Sequence, residues 1–356
     1  MSENASERPG AVETIPVRAA HRFDEASLAA FLRERLDGFG GDIDIRQFQA
    51  GQSNPTFCLL AGGRRYVLRK KPPGKLLPSA HAVDREYRAI NALQDSAVPV
   101  PRTYLLCEDE SVIGTAFYVM EMVEGRVFHD AGMPGATAEE RRVFFDDFAR
   151  VLAALHTVDI ERAGLADFGR PQGYLERQIV RWGKQYELSK TEEIPEMERL
   201  HTWLIDRLPD EPSVSVVHGD FRPGNVIVHP DRANIAAVLD WELCTLGHPL
   251  ADLGYCCAAY HGEIGAHGSF STLDHAALGI PTEREFVDAY CRYSGRESIE
   301  NFHYYVVHSL FRSAAIIQGV YKRGLDGNAA SSEALGFSGM ARERAETAWR
   351  VVEERF

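Results

Sequence analysis

The spacing of apolar residues divides the chain into a strand-rich first part and a helix-rich remainder. Asp24–Leu36 repeats apolar residues at helical spacing behind an Asp that can cap a helix. Three strand signals follow, IDIRQFQA, TFCLLAG and RRYVLRKK, and Gly62-Gly63 joins the last two as a hairpin turn. A second helix is predicted at His81–Leu93, before two more strands, VPVPRTYLLCED and TAFYVMEMVEG. This order predicts a small antiparallel sheet with one helix packed on it.

The remainder of the chain is mostly helical. Short strands interrupt it near residues 214–217, 226–229 and 236–240. Residues 1–22 are polar and punctuated by Pro and Gly, so we expect a flexible tail there. We predict an N-terminal lobe over residues 23–124 and a C-terminal lobe over 125–356, with Gly125 at the boundary. The predicted fold class is α+β.

Composition and charge exclude several classes of protein. The chain has 356 residues, 45% of them hydrophobic, which is enough for a large core. A net charge of −13 argues against a general nucleic-acid or acidic-membrane surface. The six Cys show no C-x-x-C spacing, which fits a reducing cytosol. No leader-like start and no run of membrane-spanning length occur, so we expect a cytoplasmic protein.

The stretch VVHGDFRPGNVIVHP places charged and amide side chains between two apolar strand signals. Asp220, Arg222 and Asn225 lie on this loop, and Asp240 ends the next strand. Because a hairpin brings both of its ends to one edge of a sheet, Asn225 and Asp240 would face Asp220. Hard oxygen ligands in small number suit Mg²⁺. The remaining carboxylate could then accept a proton from a hydroxyl while Arg222 reaches a phosphate, as phosphoryl transfer requires.

The motif H-G-D-F-R-P-G-N, followed by V-L-D-W-E, resembles the catalytic and metal-binding segments of the aminoglycoside-phosphotransferase-like and choline-kinase-like kinases. The resemblance implies a two-lobed, protein-kinase-like fold and the transfer of the γ-phosphate of ATP with Mg²⁺. It implies Asp220 as the catalytic base and Asn225 and Asp240 as metal ligands. Glu242 would assist the metal, and Asp252 would brace the catalytic loop by hydrogen bonds.

The same resemblance implies a nucleotide site in the first lobe. FYVMEMVEG takes the place of a kinase hinge, where the backbone of Glu121 and Val123 would pair with adenine. GQSNPTF takes the place of the loop that covers the phosphates. It lacks G-x-G-x-x-G, which leaves that work to Ser53, Asn54 and backbone amides.

A kinase also pairs a strand cation with a helix carboxylate. Glu86, on the second predicted helix, supplies the carboxylate. Strand alternation places Arg69 and Lys71 on one face, so either could be its partner. Aligning Y-V-L-R with V-A-I-K favours Arg69, whose fork would grip a phosphate differently from a lysine.

The phosphate acceptor is predicted to be a small molecule. No A-P-E occurs, and Asp252 follows Asp240 by only twelve positions, so a peptide-binding platform has little room. Arg177, Arg181 and Lys184 share one face of a predicted helix. They form either a solvated stripe or an anion-binding wall for an acceptor that carries phosphate.

A second resemblance bears on the acceptor. VLRKKPPGKLLPSAHAVDREYRA together with DWELCTLGHPLADLGY resembles the kinase-like proteins associated with acyl-CoA dehydrogenases, which implies a hydroxyacyl-CoA or related hydroxy acid. The alternatives are an aminoglycoside or amino-alcohol kinase and a nucleotide-binding pseudokinase. A dehydrogenase activity is disfavoured because the kinase-like lobes use nearly all of the chain.

Overall fold

Two structural units make up the described part of the chain. The computed structural model describes residues 14–49, 54–72, 81–210, 213–262, 268–327 and 332–356. Within these residues, the first unit comprises Met1–Phe128, Ala163–Leu165 and Asn225–Cys244. The second comprises His129–Arg162, Ala166–Gly224 and Thr245–Phe356. The lobe boundary at Gly125 stays a prediction.

A six-stranded antiparallel sheet forms the framework of the first unit. Its strands are β1 (Thr14–Pro16), β2 (Ile43–Phe48), β3 (Thr56–Ala61), β4 (Arg64–Lys70), β5 (Thr103–Cys107) and β6 (Phe117–Glu121). Their spatial order is β1-β2-β3-β4-β6-β5. Gly62 and Gly63 turn the chain between β3 and β4 with φ values of 56° and 75°, a conformation that favours glycine. The predicted hairpin is confirmed.

Two helices belong to the same unit, α1 (Glu25–Arg35) and α2 (Val83–Ala92). Asp24 caps α1 by accepting the backbone N–H of Ser27 at 2.9 Å. The buried side chains of α1, Leu28 and Leu32, join the core formed by the strands. Helix α2 contacts β5 and β6. The sheet and its packed helix therefore match the predicted architecture.

Residues 14–22, which the sequence analysis placed in a flexible tail, have defined structure. Strand β1 pairs with β2, and the side chain of Arg46 donates to the carbonyl of Thr14 at 2.9 Å. The backbone N–H of Arg18 donates to Gln47 Oε1 at 3.1 Å. Side chains of β2 thus hold a strand of only three residues, which the apolar pattern did not indicate.

A small hairpin completes the first unit. It consists of β8 (Val226–Val228) and β9 (Ile235–Val238), with Val226 opposite Val238. Arg126 and Val228 exchange two backbone hydrogen bonds of 2.8 Å, which attach the hinge segment to β8. A Cβ at Gly125 would lie 2.2 Å from the carbonyl oxygen of Val228, so only glycine permits this approach.

The second unit is mainly helical. Its described helices are α3 (Ala138–His156), α4 (Tyr174–Ser189), α5 (Pro195–Asp206), α6 (Pro249–Cys257), α7 (His275–Leu278), α8 (Glu283–Ser294), α9 (His303–Leu325) and α10 (Met340–Arg355). Two strands, β7 (Ser215–Val217) and β10 (Thr245–Gly247), pair antiparallel. Helix α9 is the centre of this unit because α4, α6 and α10 all pack on it.

The predicted α+β class is confirmed, with an antiparallel sheet in the first unit and helices dominating the second. No helix in the described stretches is both long enough and apolar enough to span a membrane.

Candidate active site

Arg69 on β4 connects two carboxylates of the first unit. Its Nε lies 2.7 Å from Glu86 Oε2, and its Nη2 donates to Asp240 Oδ1 at 2.7 Å. Lys71 has a different partner, since its Nζ lies 3.9 Å from Asp84 Oδ1. The structure therefore selects Arg69 as the strand cation that pairs with Glu86.

Glu86 is buried and held by neutral donors as well as by the arginine. Asn54 Nδ2 donates to Oε1 at 2.5 Å, and the Tyr118 hydroxyl donates to Oε2 at 3.1 Å. Burial raises the pKa of Glu86, while Arg69 and both donors oppose that effect. Burial would lower the pKa of Arg69, but Glu86 and Asp240 outweigh it and the net shift is upward. The guanidinium therefore keeps its charge.

The phosphate-covering loop is only partly described. Asn54 lies at its end and supports Glu86, a role that the sequence did not predict. His81 Nδ1 lies 3.0 Å from Asn54 Oδ1, which fixes the orientation of the amide. Ser53 lies outside the described residues. Contacts of both residues with a nucleotide stay predictions.

The predicted metal ligands gather at the end of the β8–β9 hairpin. The backbone N–H of Leu239 donates to the carbonyl of Asn225 at 2.8 Å, which places Asp240 beside the buried Asn225. Asp240 is a non-glycine residue with φ of 65°, a strained conformation that often marks functional sites. Glu242 lies in the following 3₁₀ turn, and its charge adds to the field on Arg69. The amide and two carboxylates form an oxygen donor set of the kind Mg²⁺ prefers.

The hinge residues lie where β6 ends. Glu121 is the last residue of the strand, and its backbone N–H donates to the carbonyl of Arg102 at 2.7 Å. Val123 follows two residues later in irregular backbone. Met120, which the sequence placed in the adenine pocket, is 7% exposed. Pairing of this backbone with adenine stays a prediction.

In the second unit, Asp252 on α6 holds the start of the loop that carries Asp220. Its carboxylate accepts the backbone N–H of His218 at 2.6 Å and that of Gly219 at 3.0 Å. His156 Nε2 lies 3.5 Å away. Burial would raise the pKa of Asp252, but the hydrogen bond and charge of His156 contribute to a net lowering. The predicted brace is confirmed. Gly219, with φ of 83°, turns the backbone before Asp220.

Asp220 has a partner on each carboxylate oxygen. The Tyr255 hydroxyl donates to Oδ1 at 2.5 Å, and Arg222 Nε donates to Oδ2 at 3.3 Å. Burial, followed by the charge of Asp220, raises the pKa of Tyr255 well above its usual value, so the phenol stays a donor. The sequence analysis missed Tyr255. Its position three residues after Asp252 on a helix was the available signal, because such residues share a face.

An aromatic cavity adjoins this loop within the second unit. Five Phe and two Tyr residues contribute to its lining. They are Phe145, Phe148, Phe221, Phe270, Phe286, Tyr255 and Tyr260. Among the described lining residues, Arg222 is the one arginine, and no carboxylate or lysine occurs. The cavity therefore suits an apolar group that carries a neutral or anionic end.

One arginine of the predicted charged face, Arg181, lies near Trp182, and so does Arg312, which was not part of that prediction. The Arg181 guanidinium is 5.4 Å from the Trp182 ring, and that of Arg312 on α9 is 5.9 Å from it. Arg312 also donates to the carbonyl of Gly219 at 2.8 Å, which ties α9 to the catalytic loop. Arg177 donates to the carbonyl of Arg170. Sequence spacing alone did not reveal the contribution of Arg312.

Residues 44–299 match the family model described as the phosphotransferase enzyme family. The chain belongs to the phosphotransferase enzyme family. It is 43% identical over 343 residues to mouse acyl-CoA dehydrogenase family member 10, covering 96% of this chain and 32% of that protein. The chain thus spans about a third of the length of this relative.

Solved structures agree with this assignment. A Ralstonia eutropha protein provisionally assigned as an aminoglycoside phosphotransferase is 46% identical, with a TM-score of 0.86 and coverage of 94% of this chain and 99% of that one. The aminoglycoside phosphotransferase APH(4)-Ia, in a ternary complex with ADP and hygromycin B, is 19% identical, with a TM-score of 0.60. That match covers 91% of this chain and 98% of the other, and it shows the fold alone. The chain therefore has the kinase-like fold of this family.

Proposed function

We propose that this phosphotransferase moves the γ-phosphate of ATP to a hydroxyl group of a small molecule with the help of Mg²⁺. The observation that carries the proposal is the buried network in which Arg69 joins Glu86 and Asp240. Kinases assemble this pairing of a strand cation with a helix carboxylate around the phosphates of the nucleotide. An intact Asp220, Asn225 and Asp240 argue against a pseudokinase.

In this proposal the first unit holds the nucleotide. Asn225, Asp240 and Glu242 would hold Mg²⁺, which would neutralise charge on the phosphate oxygens. Arg69 would direct its guanidinium at a phosphate while Glu86 keeps the side chain in place. The backbone of Glu121 and Val123 would pair with the adenine edge.

Asp220 would act as the general base. Its carboxylate would accept the proton as the O–H bond of the acceptor breaks and a bond forms between that oxygen and the γ-phosphorus. The bond from the γ-phosphorus to the bridging oxygen breaks, and ADP leaves. Tyr255 would keep Oδ1 in position, and Arg222 would offset negative charge at the transferred group.

The acceptor that best fits the second unit is a hydroxyacyl compound, with hydroxyacyl-CoA as the leading candidate. The aromatic cavity suits an acyl group, and Arg222 suits a carbonyl or carboxylate end. Arg181 and Arg312 offer charge to a phosphate-bearing coenzyme. The name of the mouse relative also refers to acyl-CoA. Aminoglycosides and amino alcohols are cationic, and the described cavity lining offers them an arginine in place of carboxylates.

The decisive experiment compares two variants in nucleotide binding and turnover. Asp220→Asn should lower kcat by about 10²- to 10⁴-fold, the usual contribution of a general base, while ATP affinity stays within about twofold. Asp240→Asn should weaken binding of Mg-ATP itself. Asp231→Asn, in the exposed turn between β8 and β9, is the matched control and should leave both quantities unchanged. Equal loss of ATP affinity in the first two variants would contradict this division of roles.

The acceptor is tested by ADP release with a panel of hydroxyacyl-CoAs, the corresponding free hydroxy acids, an aminoglycoside and choline. Turnover of the coenzyme A esters alone would support the arginines as phosphate contacts. Turnover of the free acids would support a hydroxy acid as the acceptor and show that coenzyme A is not required. Turnover of only the cationic compounds would overturn the proposed acceptor class without touching the kinase assignment.

A further inference from the structure

Two histidines and one glutamate converge at a place in the second unit that the phosphotransferase mechanism does not use. His261 follows the 3₁₀ turn Ala258–Tyr260, Glu283 is the first residue of α8, and His303 is the first residue of α9. His261 Nε2 lies 2.8 Å from Glu283 Oε1, and His303 Nε2 lies 3.2 Å from Glu283 Oε2. Three separate elements therefore direct ligand-type atoms at one point.

The geometry points to a divalent transition-metal site, and we propose that His261, Glu283 and His303 bind Zn²⁺. Imidazole nitrogen and carboxylate oxygen are ordinary Zn²⁺ ligands, at about 2.0–2.2 Å from the ion. One ligand atom from each residue lies within 4.8 Å of the other two, so small side-chain rotations bring all three to those distances. Mg²⁺ and Ca²⁺ prefer oxygen ligands, which makes a site with two imidazoles selective against them.

The exposure of the three side chains suits an ion that keeps a water ligand. The side chains of His261, Glu283 and His303 are 12%, 16% and 23% exposed, so they are shielded and still reachable from solvent. Three protein ligands leave one position of a tetrahedral ion for water. The Glu283 carboxylate contacts the two imidazoles through separate oxygens, which already brings the three side chains to one centre.

The site lies directly behind the aromatic cavity. Tyr260 precedes His261, and Phe286 follows Glu283 by one helical turn; both rings line the cavity. The Tyr260 hydroxyl donates to the carbonyl of Pro281 at 2.9 Å, which joins the same two segments. A bound ion would hold these segments together and would therefore stabilise the cavity wall, independently of the metal used with ATP.

The test measures Zn²⁺ binding by the full chain in Mg²⁺-free buffer. All proteins carry Asp240→Asn, which weakens the proposed nucleotide-metal site. The parent should retain about one equivalent of Zn²⁺ after dialysis, and the pair His261→Gln with His303→Gln should retain none. Bound Co²⁺ should give a tetrahedral absorption spectrum in the parent only. His229→Gln, a histidine of the first unit, is the matched control and should bind like the parent.

Single variants keep the proposal testable if the double variant folds poorly. Glu283→Gln retains the shape of the side chain, and we expect Zn²⁺ affinity to fall by more than the roughly 10- to 100-fold typical of residues that only support a ligand. Circular dichroism of each variant verifies folding. Equal Zn²⁺ retention by the parent and the Glu283→Gln protein would overturn the site, as would a parent that retains no Zn²⁺.

Discussion

Arg69 occupies a position where lysine could not make the same contacts. Its guanidinium reaches Glu86 through Nε and Asp240 through Nη2, whereas an ammonium offers one compact charge. We expect Arg69→Lys to lose one charge-assisted hydrogen bond, about 1.5–3 kcal/mol of unfolding free energy. Denaturant unfolding would measure this loss. Lys71→Met, at a half-exposed residue, is the control. Similar destabilisation by both variants would contradict the special role of Arg69.

Tyr255 is argued to position the base. Its hydroxyl donates to Asp220 Oδ1, so Tyr255→Phe removes this hydrogen bond while the aromatic packing stays. Hydrogen bonds to charged groups contribute about 1.5–3 kcal/mol, which corresponds to a fall in kcat of about 10- to 100-fold. Steady-state kinetics should show this fall without a change in the KM for ATP.

Tyr293→Phe is the matched control for that experiment. The Tyr293 hydroxyl also donates to a carboxylate, that of Asp146 at 2.6 Å, but on an exposed surface. The kcat of the Tyr293→Phe enzyme should equal that of the unmodified protein. An unchanged kcat in the Tyr255→Phe enzyme would show that the Tyr255 hydroxyl is not needed to orient Asp220.

At the scale of secondary-structure elements, the sequence predicted the strands and helices whose residue patterns lie within a short stretch of chain. Period-two alternation and a two-glycine turn define β3 and β4, and helical spacing with a cap defines α1. Strands β1 and β10 were missed because neither contains a run of apolar residues and each depends on a partner distant in the chain. β10 pairs with β7 about thirty residues upstream, and no local pattern encodes that contact.

In the candidate site, too, sequence analysis was informative only where the residues follow a local pattern. The spacing of Asp220, Asn225 and Asp240 could be interpreted from sequence because these residues belong to one loop and one hairpin, and their chemical roles stay predictions. Alternation could not distinguish Arg69 from Lys71, since both lie on one strand face. The structure distinguishes them because β4 ends at Lys70, and Arg69 still lies within the sheet opposite Tyr118.

Helix α6 acts on the catalytic loop through Asp252. Asp252→Asn replaces one acceptor oxygen by an NH₂ group facing backbone donors, so a buried N–H loses its partner. We expect a loss of about 1–3 kcal/mol in unfolding free energy together with lower kcat. Asp288→Asn on the exposed face of α8 should change neither. Calorimetry and turnover of both variants test this, and an unaltered Asp252→Asn protein would show that the brace is dispensable.

At the scale of the whole molecule, the net charge does not show where individual cationic side chains lie. The chain carries −13, yet Arg69, Arg222 and Arg312 lie at the proposed phosphate and acceptor positions. A composition average cannot reveal such an arrangement, because it depends on residues that are distant in sequence. The acidic remainder would repel anionic ligands except where these arginines act, which favours specific over general binding of phosphate compounds.

Stability of the whole protein should depend on pH through His308. This residue of α9 is 2% exposed, and neither ring nitrogen has a hydrogen-bond partner among the described residues. Burial, then the charges of Arg312 and His248, lowers its pKa from 6.5 to about 3. The unfolded chain therefore binds a proton below pH 6.5 that the folded protein excludes until about pH 3. Stability should fall as pH decreases through this window.

The slope from this one group should approach about 1.4 kcal/mol per pH unit below pH 6.5. To isolate this one group, the measurement is the difference in unfolding free energy between the unmodified protein and His308→Phe from pH 7.5 to 4.5. The substituted protein should lose less stability on acidification, because the phenyl ring binds no proton in either state. His229→Gln serves as control and should follow the unmodified protein. Parallel curves for the unmodified and His308→Phe proteins would mean that His308 is hydrated and protonates in the folded state.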